Sequence, residues 1–401
     1  MERRCNQYTE YIQDLFKRAS GFEVTVGFSV RSLFDLYLCT KNYPSQSEVI
    51  VFPPISVPGM LHVAKYHNLH IVPVDIGESQ WWNLKGIQEA VNEKTVAIMI
   101  VHPFGRLATS NEQLEQIRLL ADAHNIEVWE DCAECFTGLG KDCYLGSPLA
   151  DVRFFSFGMI KTATALGGGI AIFRKNNMAK QIQRLQETMC KRQDTFEFAK
   201  RIILSLILNF IASSPIRVGF LERICSTFGL NYDKIITYTI RGFQLPQITN
   251  HEKKHQILQS YIQGQVRKKP SSVLLSLLHR RLKDSIVITA SVPPKLKRCQ
   301  SLESTLREKV PQVLLSNPPK YFNTYWAFPI FCKDRSFVSS QLKRRGFDVV
   351  SWASQLCCVA DPLTLGMADP CPRTRQLMNS VLYLPISSQS FSDKSTKSLI
   401  D

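Results

Sequence analysis

Polar side chains that could do chemistry follow two apolar runs near the middle of this chain. The runs Ile126–Trp129 and Val152–Phe157 are rich in β-branched and aromatic residues, which predicts two buried strands. In an open α/β sheet, ligands bind at the carboxyl ends of the strands, so polar residues at those ends are predicted to share one site. These residues are Glu130, Asp131, Ser156 and Lys161.

A lysine, a carboxylate and a hydroxyl together suit pyridoxal 5'-phosphate. This cofactor needs a lysine for its aldehyde, an acid for its ring nitrogen and hydrogen-bond donors for its phosphate. A second phosphate candidate is Ser29, Val30 and Arg31, which precede the predicted helix Leu33–Cys39. Free N–H groups at a helix start bind phosphate, but every helix start offers them, so this signal is weak alone.

The composition is typical of an intracellular globular enzyme. The chain has 401 residues, of which 44% are hydrophobic and 21% charged, and this length suits two domains. Its 12 cysteines show no framework spacing and Met1–Ser20 is polar, so we expect reduced thiols, no signal peptide and a cytoplasmic location. The sequence contains no zinc-ligand spacing, so we expect no metal site.

The net charge of +15 is compatible with nucleic acid, an acidic membrane surface or a phosphorylated substrate as partner. The basic residues form no long tract interleaved with aromatic residues, which argues against nucleic acid. Small-molecule substrates are therefore the expected partners.

Strands alternate with helices over the first half of the chain. This pattern predicts an α/β fold with a mostly parallel sheet covered on both sides. The predicted strands before the two central runs are Glu23–Gly27, Val49–Phe52, Ile71–Val74 and Val96–Val101, and the predicted helices are Glu10–Arg18, Met60–His67, Lys85–Val91 and Asn111–His124. Three glycines lead into Ile170–Phe173 with no helix between, so this strand is predicted to run back antiparallel and make the sheet mixed.

Two domains are expected. A large three-layer domain would span residues 1–269, with a motif core at 21–175 and an atypical helical insert at about 178–260. A smaller C-terminal α+β domain would span 270–401. Its predicted elements are the helices Ser272–Lys283, Ser336–Arg345 (with Gly346 as C-cap) and one from Asp393, and strands at 325–331, Phe347–Val350 and 381–386. Thr237–Asn250 is expected to be irregular, and Glu252–Lys269 to be a polar helix.

Helix Met178–Lys191 is followed by an unusual segment, Phe196–Ala212. Residues 202–212 are apolar all round, and basic residues stand at both ends. The run is too short to cross a bilayer as a straight helix. We expect it to be buried in the protein, in the core or at a subunit interface, because its cations cluster at the ends. The alternative is a helix lying on a membrane surface.

Several motifs in order resemble the DegT/DnrJ family of sugar aminotransferases, which are fold-type I pyridoxal-phosphate enzymes. They are EVIV…VDI, VHPFGR, WEDCAECF, FFSFGMIK and GGGIAIF. The resemblance covers residues 21–175 well and is weaker afterwards. It implies a homodimer that moves an amino group from an amino acid, usually glutamate, to a keto group, expected here on a nucleotide-linked sugar.

The resemblance also implies residue roles. Lys161 would hold the cofactor covalently and then carry a proton, and Asp131 would face the ring nitrogen. Ser156 would bind the phosphate, together with Ser29, Val30 and Arg31. Relatives that dehydrate their substrate carry histidine at the position of Lys161, so a lysine favours transamination.

Three positions depart from the family pattern. Val30 replaces a glycine, Glu134 stands where glutamine faces the cofactor's 3-oxygen, and Ile55 stands where an aromatic residue stacks on the ring. An ionised Glu134 would repel a phenolate, so it must be protonated, turned away or differently used. These departures leave two alternatives open: a non-catalytic binding or assembly subunit, and a pyridoxal-phosphate enzyme with a non-sugar substrate. The CxxC of Cys132 and Cys135 is expected to be structural.

Overall fold

The computed structural model describes residues 2–77, 81–212, 214–230, 235, 251–283, 285–315, 323–344, 349, 356–360 and 368–384. Its helices are α1 (Glu2–Ser20), α2 (Val30–Cys39), α3 (Pro58–Tyr66), α4 (Leu84–Ala90), α5 (Asn111–Ala123), α6 (Met178–Met189), α7 (Thr195–Ala212), α8 (Pro215–Thr227), α9 (His251–Tyr261), α10 (Ser272–Lys283), α11 (Ser285–Lys309), α12 (Arg335–Arg344) and α13 (Pro372–Ser380). Its strands are β1 (Glu23–Gly27), β2 (Glu48–Phe52), β3 (Ile55–Ser56), β4 (His70–Pro73), β5 (Thr95–Val101), β6 (Glu127–Asp131), β7 (Val152–Ser156), β8 (Gly169–Phe173), β9 (Lys191–Arg192), β10 (Lys268–Lys269), β11 (Phe328–Phe331), β12 (Cys357–Cys358) and β13 (Val381–Leu384).

A seven-stranded sheet forms the centre of the molecule, in the order β1-β8-β7-β6-β5-β2-β4. The four pairings from β7 to β4 are parallel. Strand β8 pairs antiparallel with both β7 and β1. The predicted mixed sheet, with a return strand after the three glycines, is therefore confirmed.

Helices cover both faces of this sheet. Because neighbouring residues of a strand point to opposite faces, Phe154 and Phe155 of β7 enter different cores. Phe154 packs with residues of α2 and α3, such as Phe34 and Val63. Phe155 packs with α1 and α10, whose Phe16 and Leu278 are fully enclosed. The sheet with its two helical layers confirms the predicted three-layer α/β class.

Several parts of the secondary structure differ from the sequence-based expectation, and helix α13 was among the elements not predicted. Helix α9 ends at Tyr261 rather than Lys269, because the chain continues through a π-helical turn into β10, which pairs with β9. The long helix α11 was not predicted, because its two prolines normally interrupt a helix. The short pair β3–β12 was also missed. Thr237–Asn250, Gly346, most of Phe347–Val350 and the helix from Asp393 lie outside the described residues.

The C-terminal part contains its own apolar cluster around the antiparallel pair β11–β13. Cys299 and Leu302 of α11 pack there against Phe328 and Leu382. This arrangement has the α+β character that was predicted. Helix α10 instead packs against α1, in one of the two helical layers that cover the seven-stranded sheet. The division between residues 269 and 270 stays a prediction.

A partly buried carboxylate at the start of β6 connects the sheet to α2. Glu127 accepts hydrogen bonds from Tyr37, Tyr43 and Trp129, at 2.7, 2.9 and 2.9 Å, and from Lys41 Nζ at 2.7 Å. Burial alone would raise the pKa of the Glu127 carboxyl. The positive charge of Lys41 and the hydrogen bonds have the larger combined effect, so the pKa lies below its ordinary value. Glu127 therefore stabilises the fold in its ionised form.

We predict that Glu127→Gln lowers the free energy of unfolding at pH 7 by about 1–3 kcal/mol, because an amide can accept from fewer donors and carries no charge for Lys41. The native pKa lies below its ordinary value of 4.5, so the stabilisation is present above that pH and is lost as the pH falls. Urea unfolding at pH 7 and pH 3 measures this: the gap between wild type and variant should shrink at pH 3.

Glu89→Gln is the matched control, because the Lys85–Glu89 pair is exposed and 3.7 Å apart. It should change stability by no more than about 0.5 kcal/mol. Equal losses in the two variants, or a gap that widens at pH 3, would contradict the role of Glu127.

Candidate functional site

The sheet register brings the ends of β6 and β7 to one edge. Asp131 is the last residue of β6 and pairs with Val101 of β5 and Phe154 of β7. Lys161 follows β7 after a turn in which its N–H donates to Gly158 O at 3.0 Å. Asp131 and Lys161, predicted to share a site, interact electrostatically there.

The amine of Lys161 has two close neighbours. Its Nζ donates to Glu134 Oε1 at 3.1 Å and lies 4.3 Å from the centroid of the Trp326 ring. The indole Nε1 of Trp326 donates to Ile160 O at 2.7 Å, which fixes the ring over the lysine. Lys161 is thus a mostly enclosed amine held between a carboxylate and an aromatic face.

Glu134 is oriented by the loop after β5. Its second oxygen, Oε2, accepts from Phe104 N at 2.8 Å, and Thr324 Oγ1 donates to its backbone carbonyl at 2.9 Å. Burial raises the pKa of this carboxyl, and the nearby Lys161 ammonium partly opposes that rise. In this structure Glu134 forms an ion pair with the amine of Lys161; its role beside the cofactor's 3-oxygen stays a prediction.

Asp131 is nearly enclosed, and its Oδ1 accepts from Ala133 N at 3.1 Å. Burial raises the pKa of this carboxyl, while the hydrogen bond from Ala133 N and the charge of Lys161 lower it. A cation placed against Asp131 would favour its ionised form. The protonated ring nitrogen of a pyridine is a cation of this kind.

Glu130, the neighbour of Asp131, holds the surrounding loops. It accepts from His102 Nε2 at 2.7 Å, from the Tyr144 hydroxyl and from Ser147 N at 2.7 Å. Burial raises its pKa, but these hydrogen bonds outweigh burial and hold the pKa low. The other ring nitrogen of His102, Nδ1, accepts a hydrogen bond from Ala108 N at 3.0 Å, so both ring nitrogens are engaged.

A cradle of backbone and hydroxyl groups lies beside this edge; we call Ser29, Val30, Ser156 and Gly169 the phosphate cradle. Ser29 is the N-cap of α2, and its Oγ accepts from Ser32 N at 3.2 Å. Ser156 pairs with Gly169 across β7–β8. A Cβ on Gly169 would lie 2.6 Å from Ser29 C and 2.7 Å from Val30 N, so only glycine permits this approach. The Val30 side chain is buried in the core, which leaves its backbone N–H for a ligand.

Cationic side chains surround Phe28, the residue before the cradle. The guanidinium of Arg201 lies 5.4 Å and the amine of Lys268 6.0 Å from the Phe28 ring centroid. Burial and the charge of Arg31 lower the pKa of Arg201 against the opposing effect of Glu197. An anion beside these cations would relieve that repulsion. Arg31 itself turns away, and its Nη1 donates to Tyr261 at 2.9 Å.

Ile55 was expected to pack on the face of the cofactor ring. Its side chain is fully enclosed in an apolar cluster that contains Trp81, Phe104 and Tyr383. A cofactor ring could contact Ile55 only if one of these neighbours moved. Its assignment to the ring face stays a prediction.

Sequence reasoning missed Trp326, Thr324, Arg201 and Lys268. Trp326 and Thr324 are far from Lys161 in the chain and no local spacing relates them to it. Arg201 and Lys268 lie in segments without a family motif. For His102 a signal existed, because it follows β5 at the same edge as Asp131, but a single histidine in a loop was not sufficient to assign a role.

Two groups of potential metal ligands occur among the described residues: Asp35, Cys39 and His67, and His102, Glu130 and Cys132. In both groups the carboxylate is already engaged. Asp35 binds Arg267 and His67, and Glu130 binds His102. These contacts explain both groups as hydrogen-bonded structural clusters.

Comparisons with known proteins agree with the resemblance noted in the sequence. The model of the DegT/DnrJ/EryC1/StrS aminotransferase family matches residues 35–226. GDP-perosamine synthase of Escherichia coli O157:H7 is 32% identical over 129 residues, which are 32% of this chain and 34% of that protein. The dTDP-3-amino-3,6-dideoxy-alpha-D-galactopyranose transaminase of Aneurinibacillus thermoaerophilus is 37% identical over 138 residues, 31% of this chain and 36% of that protein.

The chain thus spans about a third of the length of these two relatives. A solved structure is similar over nearly the whole chain. Helicobacter pylori PseC, an aminotransferase involved in the biosynthesis of pseudoaminic acid, has a TM-score of 0.64 at 13% identity, covering 98% of this chain and 89% of that one. The family resemblance and the fold class predicted from the sequence are both confirmed.

We predict that Gly169→Ala loosens the phosphate cradle. The new methyl group would meet two backbone atoms, so the first turn of α2 must move away from β8. Overpacking of this kind costs about 1–3 kcal/mol of unfolding free energy. Calorimetry should show a lower melting temperature, and equilibrium dialysis should show weaker retention of pyridoxal 5'-phosphate.

Gly140→Ala is the control, because the nearest atom to its added methyl would be Cys143 Sγ at 3.8 Å. It should leave both measurements within error of wild type. A Gly169→Ala protein that melts like wild type would show that the cradle is not closely packed.

Proposed function

We propose that this chain is a pyridoxal-phosphate-dependent aminotransferase that moves an amino group from an amino acid, glutamate as the first candidate, to the keto group of a nucleotide-linked sugar. The names of the matched relatives support the sugar class. The buried carboxylate of Asp131, with the mostly enclosed amine of Lys161 near it at the carboxyl edge of the sheet, carries the proposal. A homodimer is proposed on the family resemblance.

The residues present fit three of the cofactor's four polar groups, namely the ring nitrogen, the aldehyde and the phosphate; the fourth, the 3-oxygen, is the one that Glu134 is expected to face. Asp131 offers a buried carboxylate to the ring nitrogen, and Lys161 offers an amine to the aldehyde. For the phosphate, the phosphate cradle offers the N-terminus of α2. It also contains Gly169, where a Cβ would collide with the backbone of Ser29 and Val30. When bound, pyridoxal 5'-phosphate supplies an electron sink that makes the α-proton of an amino acid acidic.

Each residue has a proposed task. An ionised Asp131 would hold the proton on the cofactor's ring nitrogen, which would lie opposite it. Lys161 Nζ would take up and return the proton that moves during transamination. Glu134, whose pKa is raised by burial, would hold a proton on Oε1 when the amine of Lys161 is neutral, because the two groups share one hydrogen bond. Trp326 would exclude water from the face of the amine that it covers.

The cationic residues near the cradle support an anionic ligand at that end. Arg201 and Lys268 add positive charge close to Phe28, the residue before Ser29, which caps α2. A phosphate group, doubly charged and rich in acceptor oxygens, would satisfy these cations and the helix start together.

One observation favours the alternative of a non-catalytic subunit with the same fold. Glu134 forms an ion pair with the amine of Lys161, so this lysine has a stable partner even when no cofactor is bound. In that case the protein would bind the cofactor weakly or not at all, which the next experiment tests.

We predict that Lys161 is the residue that binds the cofactor covalently. Borohydride reduction of the loaded protein, followed by peptide mapping, should place the label on Lys161. Lys161→Ala should abolish labelling and transamination, whereas Lys94→Ala, at an exposed position, should leave both unchanged. A label on another lysine, or no label on the wild type, would refute the assignment.

We also predict that Asp131→Asn retains the cofactor but lowers turnover by at least about 100-fold, because the substitution removes a buried charge and keeps the shape. Turnover per bound cofactor is the quantity to measure. Asp142→Asn, on an exposed loop, is the control and should behave as wild type. A near wild-type rate in Asp131→Asn would disprove the proposed task of this carboxylate.

A further inference from the structure

The second half of α7 and the described residues of α8 expose apolar side chains. Among the residues from Ile203 to Leu230 whose burial the structure describes, none is buried. The first half of α7 is different, because Phe198 is fully enclosed beside Phe28 and Leu274. The two helices, which we call the α7–α8 hairpin, are therefore anchored at one end only. The expectation that 202–212 lies in the chain's own core is wrong.

The exposed residues of α7 form one stripe. Ile203, Leu206, Ile207 and Phe210 are between 50% and 66% exposed, and their spacing of i, i+3, i+4 and i+7 puts them on one face. A helix on a protein surface normally turns such a stripe inward and its polar residues outward. Here the apolar stripe faces outward. Further exposed apolar residues in α8 and just after it are Phe220, Ile224, Phe228 and Leu230.

Cations stand at both ends of this stripe. Lys200 stands one turn before Ile203, and its Nζ lies 4.6 Å from the centroid of the Phe196 ring. At the other end, the guanidinium of Arg217 lies 4.0 Å from the Phe210 ring. The sequence from 198 to 221 contains no Asp or Glu. The surface is therefore apolar in the middle and positively charged at its ends.

We propose that the α7–α8 hairpin lies on the surface of an anionic lipid bilayer. The apolar stripe would enter the boundary between headgroups and acyl chains, and Lys200 and Arg217 would extend to anionic headgroups. No described helix is long and apolar enough to cross a membrane, so the contact is peripheral. The net charge of +15 attracts the whole chain to such a surface.

A second copy of the chain fits this surface less well. In a two-fold contact the same patch meets itself, so Lys200 and Arg217 of one copy would share the interface with Lys200 and Arg217 of the other. Like charges brought together at an interface oppose association. Anionic lipid presents the opposite charge, which is why we assign the surface to a membrane. This proposal does not depend on the proposed enzymatic activity.

Flotation of the full-length protein with vesicles tests this assignment. Wild type should float with vesicles of phosphatidylcholine and phosphatidylserine, and not with phosphatidylcholine alone. Leu206→Gln combined with Phe210→Gln should abolish flotation. Leu119→Gln is the control, because Leu119 is 71% exposed but lies on α5, far from the hairpin in the chain, and its loss should have no effect.

A charge variant tests the second half of the proposal. Lys200→Gln with Arg217→Gln should weaken binding to anionic vesicles about 20- to 30-fold, since each cation near a charged surface contributes independently. Lys85→Gln with Lys180→Gln removes the same net charge from exposed positions elsewhere and should weaken binding much less. Added salt should weaken wild-type binding as well.

Three results would overturn the proposal: no flotation of the wild type, equal flotation with neutral vesicles, or equal losses in the charge variant and its control. Sedimentation velocity identifies the rival occupant. A wild-type dimer that Leu206→Gln with Phe210→Gln dissociates, without flotation of the wild type, would assign the surface to a second copy. If the apolar variant melts at a lower temperature, the charge variant alone decides.

Discussion

The arrangement of the site depends on the burial of Glu130 at the end of β6. Glu130 and Asp131 are adjacent in a strand, so their side chains point to opposite faces. Glu130 takes three hydrogen bonds, from His102, Tyr144 and the backbone of Ser147. Without them, a carboxylate at this depth would cost several kcal/mol, on the order of 3–5 for a broken buried pair. The loops that donate are therefore fixed, and Asp131 is left to face the ligand side.

A series of contacts connects Glu130 and its hydrogen-bond partners to Lys161. His102 leads into the turn Pro103–Gly105, where Phe104 N holds Glu134 and Glu134 holds Lys161. The C-terminal segment joins the same series, because Thr324 N donates to Gly105 O at 2.7 Å and its hydroxyl donates to Glu134 O. The position of Trp326 over the amine follows from these bonds. Residues that are distant in the chain thus reach the site through the turn rather than through the sheet.

Features of the site that depend only on the local sequence could be predicted. Apolar runs predicted the strands, their polar ends predicted the edge with Asp131 and Lys161, and Ser29 was recognised at the start of α2. The use of Glu134 could not be predicted, because it depends on Phe104 N, which is presented by a turn with positive φ. Trp326 and Arg201 were missed for a similar reason: their contacts join segments whose separation in the chain leaves no periodic signal.

The visible absorption spectrum tests the central claim, that Lys161 and Asp131 form a working pyridoxal-phosphate site. The purified protein is mixed with pyridoxal 5'-phosphate, then with L-glutamate, and finally with a keto sugar nucleotide. A cofactor bound covalently to a lysine absorbs in the visible range, so we expect a new band that disappears with glutamate and returns with the keto sugar. A spectrum equal to that of free cofactor, unchanged by glutamate, would contradict the claim.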